Sequence, residues 1–508
     1  MNVLFLYNGT EQLGLEHLSS HLQAHGHQVK LLFDLAVFSG DVFLNIASLG
    51  KRFDITDQLV EKAVASQPDL IGFSSYTGNF QWCLGLAKAI KNRLNVPIVF
   101  GGIHPTALPE KTLEHPEIDF VVVGEGEEAL LDLVTHLERG DPSENLLHIA
   151  NLGFRHEGRF RVNPPRPYIR DLDALPFPDK ALFLDESKAM AEGPYMVMTG
   201  RGCPYHCDFC SNSMLQSLYA VEKKHIRRRS PEHVIEELVM AKRRWNFSMV
   251  HFMDDVFTTS RSWLEQFIPL YAREINLPFF CYVHPLSVDE TKVALLKQGN
   301  CRLAGIGIQS GSASLRQQVY NRKESNERII AAVDILHRYG ISVQADHIFG
   351  APGEKPEHLE ESLGLYRRIR PQIMQTFWLT YYPKTPIIET ALSHASLDAR
   401  AVTRLEEGYV GYTHAYGSVA AEHRHLYVYY ELLMQLVPHL HNDTLFRLAR
   451  SWVRYLPMKK LLSYLLRAFA ESRHNSVYLW KKLRFVFGSF HAKCGTTGWR
   501  RSEPIIPS

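Results

Sequence analysis

Three cysteines set the chemistry of this sequence. Cys203, Cys207 and Cys210 fall within eight residues in Gly200-Arg201-Gly202-Cys203-Pro204-Tyr205-His206-Cys207-Asp208-Phe209-Cys210. The glycines, proline, histidine and aspartate around them make a loop, so these are not ordinary core cysteines. Zinc wants four ligands, and no fourth Cys or His stands at a companion spacing, because His206 lies inside the triplet. Three cysteines on a loop can instead hold a 4Fe–4S cluster and leave one iron without a protein ligand. An open iron is a place where a substrate or cofactor coordinates. Cys83, Cys281, Cys301 and Cys494 are scattered and read as small buried hydrophobes, and a total of seven fits no disulfide framework.

Such a loop needs a rigid support, and residues 195–395 supply one. Strand patterns at Tyr195–Thr199, Met249–Met253, Phe279–Val283, Leu303–Ile308, Ser342–Ile348 and Thr376–Tyr382 alternate with helical patterns such as Pro231–Trp245 and Pro356–Ile369. Six strand–helix units predict a parallel, incomplete barrel whose active site lies at the carboxyl ends of the strands. The cysteine loop follows the first of these strands.

Residues 1–140 alternate in the same way, with buried strands expected at Val3–Tyr7, Val29–Phe33, Leu70–Ser74, Ile98–Phe100 and Phe120–Val123. The expectation is a doubly wound α/β domain that binds a ligand beyond the strand ends. Those ends carry Ser74, Tyr76, Gly101, Gly102, His104, Gly124, Glu125 and Gly126. Gly124-Glu125-Gly126-Glu127-Glu128-Ala129 has the spacing of a dinucleotide fingerprint, but it follows the last strand and its glutamates would repel a pyrophosphate. Residues 141–194 read as a connector with a hairpin at Glu157-Gly158 and several prolines.

The length of 508 residues and an average globular composition call for several domains and exclude a disordered chain. No apolar run reaches the ~18–20 residues of a spanning helix, and no charged region precedes the first apolar stretch, so the expected location is cytoplasmic. Residues 396–508 read as helical. Their last part, 441–508, carries 13 Lys and Arg against 3 Asp and Glu, although the whole chain is only +2. Apolar and aromatic residues interleave with that charge, so the segment reads either as a helical cap on the barrel or as a peripheral membrane contact on the inner face of the membrane. A membrane contact would suit a lipid-like substrate. No nucleic-acid motif accompanies the charge.

The triplet spacing, with Phe209 before its last cysteine and a barrel strand ahead of it, resembles the signature of radical S-adenosylmethionine (SAM) enzymes. The resemblance implies that Cys203, Cys207 and Cys210 hold one 4Fe–4S cluster and that SAM chelates its open iron. An external electron donor such as flavodoxin or ferredoxin would then drive cleavage to a 5′-deoxyadenosyl radical. It also implies SAM contacts from Phe209, from Asp254 or Asp255, from Gln309, Ser310 and Ser312, and from Ile348 and Gly350. Which of the two aspartates serves is open. The first block resembles the cobalamin-binding domain found ahead of the barrel in one radical SAM subgroup. It lacks the Asp-x-His-x-x-Gly string that supplies a lower histidine ligand. The eight residues at its strand ends, His104 among them, become candidate cobalamin contacts. The activity implied is methylation of an unactivated carbon or a phosphinate phosphorus in a small molecule. The alternative is oxidative ring closure like that of the anaerobic magnesium-protoporphyrin ester cyclase.

Replacing Cys203, Cys207 or Cys210 by Ala is expected to abolish the brown visible absorbance and SAM cleavage together. The Cys83→Ala, Cys281→Ala and Cys301→Ala variants should keep both. Anaerobic spectra and 5′-deoxyadenosine yields check this, and one cluster's worth of iron per chain is the expected content.

Overall fold

The computed structural model describes residues 1–36, 50, 54–185, 193–220, 222, 226–410 and 416–474. Two mainly parallel sheets, each covered by helices, organise them. The first starts with β1 (Asn2–Asn8), β2 (Gln28–Asp34), β3 (Leu70–Ser74), β4 (Ile98–Gly101) and β5 (Phe120–Val122), in the order β2-β1-β3-β4-β5. Every residue of β1 after Asn2 is buried, which requires cover on both faces. Val3, Phe5 and Tyr7 pack with Leu15, Leu22 and Leu133 of the helices Leu13–Ala24 and Glu127–Arg139. Leu4 and Leu6 pack on the other side with Leu59, Phe80 and Leu86 of the helices Thr56–Ser66 and Phe80–Lys91. The winding reverses between β1 and β3, and ligands of such sheets sit beyond that switch point.

The hairpin β6 (Leu152–His156) and β7 (Arg159–Val162) turns through Glu157 and Gly158, both at positive φ. It is not part of a separate connector, as the 141–194 division expected. β6 pairs antiparallel with β5 and extends the first sheet to seven strands. Leu152 and Phe154 are buried in the first domain's core, which gives the hairpin its reason to dock.

The second sheet holds β8 (Tyr195–Val197), β11 (Val250–Phe252), β12 (Phe279–Val283), β13 (Cys301–Gln309), β14 (Ser342–Phe349) and β15 (Ile373–Trp378), parallel and in that order. A small antiparallel ladder, β9 (Gly200–Arg201) with β10 (Arg227–Arg228), stands at the edge beside β8. β8 and β15 each pair with one strand only, so the barrel is open. Four crossover helices begin on side-chain caps, with Ser230, Ser260, Asp289 and Ser325 accepting from the N–H three residues on. The sixth strand lies earlier than the aromatic run at 376–382 implied. β14 ends at Phe349, paired with Trp378, and so leaves no ladder for Leu379–Tyr382.

Helices Arg424–Leu436, Asp443–Val453 and Lys459–His474 follow. Ala470 packs with Met249, Phe280, Leu303 and Ile373 at the amino ends of the strands. The last described helix thus stops the barrel mouth opposite the cysteine loop, as the cap reading expected. The remainder of the basic segment, 475–508 with Cys494, lies outside the described residues. No described helix is long and apolar enough to cross a membrane.

One buried cation ties the two halves together. Lys180 Nζ lies 2.7 Å from Glu11 and 2.8 Å from Glu16, with the Tyr195 ring 4.9 Å away. Burial raises the Glu16 carboxyl, and Lys180 opposes that rise. Lys180→Met leaves two buried carboxylates without a cation and should cost ~3–5 kcal/mol in chemical denaturation. Because the uncompensated carboxyl has its folded pKa raised, the deficit is full at neutral pH and shrinks as pH falls through that pKa.

Candidate functional site

The cysteine loop leaves β9 through Gly202, whose φ of 93° only glycine adopts without strain. It ends at Cys210, the residue before the helix Ser211–Leu218. Gln216 of that helix donates to the Cys203 carbonyl at 2.7 Å, and Asn321 donates to the His206 carbonyl at 2.9 Å. The three thiols are free and partly exposed. Burial pushes Cys203 up to about 12 and Cys210 up to about 11, with neighbouring thiols and Asp255 adding to it. Three thiolates so placed need a cation among them, and this donor set fits an iron–sulfur cluster. Among the described residues no three His, Cys, Asp or Glu close on a single metal ion, whereas a cluster spreads its cysteines around a cube.

Arg322 was not singled out in the sequence. Its guanidinium donates to Cys207 Sγ at 3.7 Å, to the Gly307 carbonyl at 2.6 Å and to Glu324 at 2.6 Å. It therefore sets a fixed positive charge beside one cluster ligand. Tyr205 of the loop stacks on His284 at 3.6 Å between centroids.

The two aspartates separate cleanly. Asp254 is buried and accepts from Thr199 N–H at 3.1 Å and Thr199 Oγ1 at 2.7 Å, with Arg228 at 3.6 Å. Asp255 is exposed and stands by Asn212, Cys203 and Cys210. Asp255 stays outside the buried network of Thr199 and Arg228 and has Asn212 as a hydrogen-bond partner. Gln309 sits at a φ of 69° where the β13–β14 register shifts, and its buried Oε1 has no partner. Gln309 lies by Gly307, whose carbonyl Arg322 holds, and an orphaned acceptor there suits a hydroxyl or ammonium group. Phe209 and Ile348 meet in one apolar cluster with Tyr320.

Other expected SAM contacts are occupied elsewhere. Ser310 and Ser312 are fully buried, and their hydroxyls lie 3.3 Å from Ser362 Oγ and 3.0 Å from Ser314 Oγ. Gly350 has its N–H on Glu354 at 2.8 Å, and a Cβ there would meet Val419 at 2.3 Å, so this glycine serves packing. Trp378 and His347 are fully buried, Trp378 in the hydrophobic core and His347 against Phe349 and Tyr366.

A cavity of about 370 Å³ lies between the two sheets. Ser74, Gly101, Gly102, Gly124, Glu125 and Gly126 line it from the first domain, and Gly202, Cys203, Asn212 and Tyr219 from the second. At Gly101 a Cβ would meet nothing closer than Val122 at 3.9 Å, so the space beside that backbone is the cavity itself. These features fit a large flat ligand such as a corrin. Gly102 differs: its φ of 99° lets it press on Ser75, where a Cβ would lie 2.5 Å from the carbonyl. Two expected cobalamin contacts do not reach the cavity. His104 is buried against Phe80 at 4.3 Å and Thr77 Oγ1 at 3.2 Å, and burial holds it neutral, down to about 4. The Tyr76 N–H donates to Asn79 in a local turn.

The arginines at this junction were also missed. Arg201 lies 3.0 Å from Glu125 and 2.5 Å from Glu127, and Arg227 lies 2.7 Å from Glu125 and 4.1 Å over the Tyr168 ring. Tyr219 stacks on Tyr168 at 3.9 Å and its hydroxyl accepts from Glu125 N–H at 3.1 Å. The run Arg227-Arg228-Arg229, in a body otherwise acidic, was the available signal.

Comparison with known proteins agrees with this geometry. Residues 5–134 match the B12 binding domain and residues 197–366 the radical SAM superfamily. An uncharacterized methyltransferase of Pyrococcus horikoshii is 30% identical over 386 residues, covering 75% of this chain and 78% of its own. The anaerobic magnesium-protoporphyrin IX monomethyl ester cyclase of Rubrivivax gelatinosus is 26% identical, covering 64% of this chain and 59% of its own. In fold, the chain resembles the radical SAM methyltransferase TsrM from Kitasatospora setae, solved with cobalamin and a [4Fe-4S] cluster. The TM-score is 0.62 at 19% identity, covering 78% of this chain and 75% of that one. The chain belongs to the cobalamin-binding radical SAM family, as an enzyme whose cofactors are a 4Fe–4S cluster, SAM and cobalamin.

Proposed function

We propose that this enzyme moves a methyl group to an unactivated carbon, or a phosphinate phosphorus, of a small molecule. The observation that carries the reading is the shared cavity: the glycine-lined strand ends of the first domain and Cys203 of the cluster loop open onto one space. A methyl relay between two cofactors requires such a common chamber. A relative that spans both domains and carries the name methyltransferase supports the same reading.

When bound, the cofactors supply reductive SAM cleavage and a transferable methyl group. The protein's own residues then have separable tasks. Cys203, Cys207 and Cys210 hold the cluster, and Arg322 fixes a positive charge beside Cys207. Asp255 and Gln309 Oε1 offer acceptors to the polar part of SAM, and Phe209 and Ile348 offer an apolar wall. Gly101 lets a corrin approach the backbone, and Ser74, Gly102, Gly124 and Gly126 line the same space. Electrons come from an external donor of the flavodoxin or ferredoxin kind.

Products decide the reaction. Methyl transfer yields S-adenosylhomocysteine together with 5′-deoxyadenosine, whereas ring closure like that of the cyclase yields no S-adenosylhomocysteine. Anaerobic turnover analysed by mass spectrometry is expected to show both products, and 5′-deoxyadenosine without S-adenosylhomocysteine would reassign the enzyme to the cyclase class.

The aspartates give a second expected outcome. Asp255→Asn should weaken SAM binding about 10- to 100-fold, the value of a charged hydrogen bond, with cluster absorbance intact. Asp254→Asn should instead lower the melting temperature, since it breaks the buried link to Thr199 and Arg228. SAM titration and thermal melts of both variants separate the two roles.

A further inference from the structure

The last described helices leave an unusual amount of apolar surface in water. Leu445, Leu448 and Trp452 form an exposed row on Asp443–Val453, and Leu461, Leu465 and Phe469 form another on Lys459–His474. The turn between them adds Tyr455 and Met458, 78% and 70% exposed. Both helices pack on Arg424–Leu436, and their buried residues, such as Phe446, Val453 and Ala468, already form the core contact. The exposed rows are therefore not needed for folding. So many exposed large apolar side chains on two successive helices that pack on the same third helix mark a surface that meets something.

A pocket of about 530 Å³ opens beside them, lined by Arg447, Arg450 and Arg454 with Trp452, Tyr455 and Tyr429. No carboxylate lines it. Arg450 is held by Glu360 at 3.0 Å, while the side chains of Arg447 and Arg454 are exposed and have no ion-pair or hydrogen-bond partner among the described residues. The nearby acid Asp443 is itself paired with Arg367. Free guanidinium groups around a pocket are a geometry for phosphate oxygens.

We propose that this face docks on an anionic lipid bilayer, with lipid phosphates at Arg447 and Arg454 and the apolar rows among the acyl chains. The sequence of residues 475–508, with six Lys and Arg against one acid, offers no charge complement to Arg447 and Arg454. A second copy meeting the same face about a two-fold axis would set arginine against arginine. A nucleic acid satisfies the arginines but leaves Leu461, Leu465 and Phe469 in water. A bilayer with anionic headgroups satisfies both chemistries. The inference stands independently of the reaction catalysed.

Flotation of the full-length protein, without SAM, with phosphatidylcholine vesicles containing phosphatidylglycerol tests it. Binding is expected to the anionic vesicles and not to phosphatidylcholine alone, to fall with added salt, and to survive inorganic phosphate. Arg447→Gln with Arg454→Gln should lower vesicle affinity roughly 25-fold, about fivefold per arginine, and the paired Lys substitutions should retain most of it. Trp452→Ser with Leu465→Ser should weaken binding while SAM cleavage in solution stays at the wild-type rate. A protein that never floats at low salt overturns the proposal. So does binding that both variant pairs retain, dimerisation abolished by the Gln pair, or capture of an oligonucleotide without vesicles.

Discussion

The structure turns on the contact between Arg201 and the two glutamates of the Gly124-Glu125-Gly126-Glu127 loop. Arg201 stands two residues before Cys203, and its guanidinium spans Glu125 at 3.0 Å and Glu127 at 2.5 Å. A buried charge group of this sort is stable only when complete, since each ion left alone carries a large desolvation cost. Completeness is what Arg227 contributes, through its own contacts to Glu125 and to the Ile169 carbonyl at 2.8 Å. The antiparallel ladder of β9 and β10, with Arg201 opposite Arg227, is the device that holds both arginines at one loop. The loop that edges the corrin-sized cavity and the loop that carries the thiols are thereby fixed to one another. The spacing of the two loops is set by Glu125, Glu127, Arg201 and Arg227, side chains that also line the cavity between them.

That contact also explains a misleading pattern. The spacing at residues 124–129 imitates a dinucleotide fingerprint, and its glutamates argued against a phosphate ligand without giving them any purpose. Their purpose is the arginine pairing. Glu127 is held down to about 2 by Arg201 despite burial that works the other way, so its charge survives inside the junction. Gly124, at a φ of 79°, gives way to Tyr219, whose hydroxyl would lie 2.0 Å from a Cβ. Glycine there makes room for another part of the chain, while Gly101 alongside makes room for a ligand. Sequence spacing does not distinguish these two uses.

The fold was readable because burial on both faces writes continuous apolar runs into parallel strands, as in Val3–Tyr7 and Leu303–Ile308. The triplet was readable because its chemistry is local. What the sequence did not convey is how a residue's polar atoms are engaged across the chain. Asp254 and Asp255 are adjacent and chemically identical, yet Thr199 and Arg228 claim one and leave the other beside the thiols. Ser310, Ser312 and His104 carry suitable groups at suitable strand ends, but Ser362, Ser314 and Thr77 lie against them. Arg322 is invisible for the converse reason. It lies on the segment after Ala313–Gln318, far along the chain from Cys207, and only folding brings its guanidinium to that sulfur. The hairpin at Glu157-Gly158 was recognised as a hairpin but not as a sheet edge, because its partner strand β5 is supplied by another part of the sequence.

The two ends of the barrel have opposite characters, and one helix accounts for the difference. Ala470 of Lys459–His474 closes the apolar cluster at the amino ends of the strands. Lys460 of the same helix is drawn to the buried Glu431 at 2.8 Å, which also accepts from Thr376 at 3.1 Å. One side of this helix is thus committed to the barrel, and only its outer side carries the exposed row of Leu461, Leu465 and Phe469. The cysteine loop and the cavity lie at the carboxyl ends, against the first domain. A bilayer meeting the outer row therefore faces the stopped mouth, not the chamber. Attachment to lipid and delivery of substrate are separate problems in this architecture. Cys203 lines that cavity, on the side that faces the first domain.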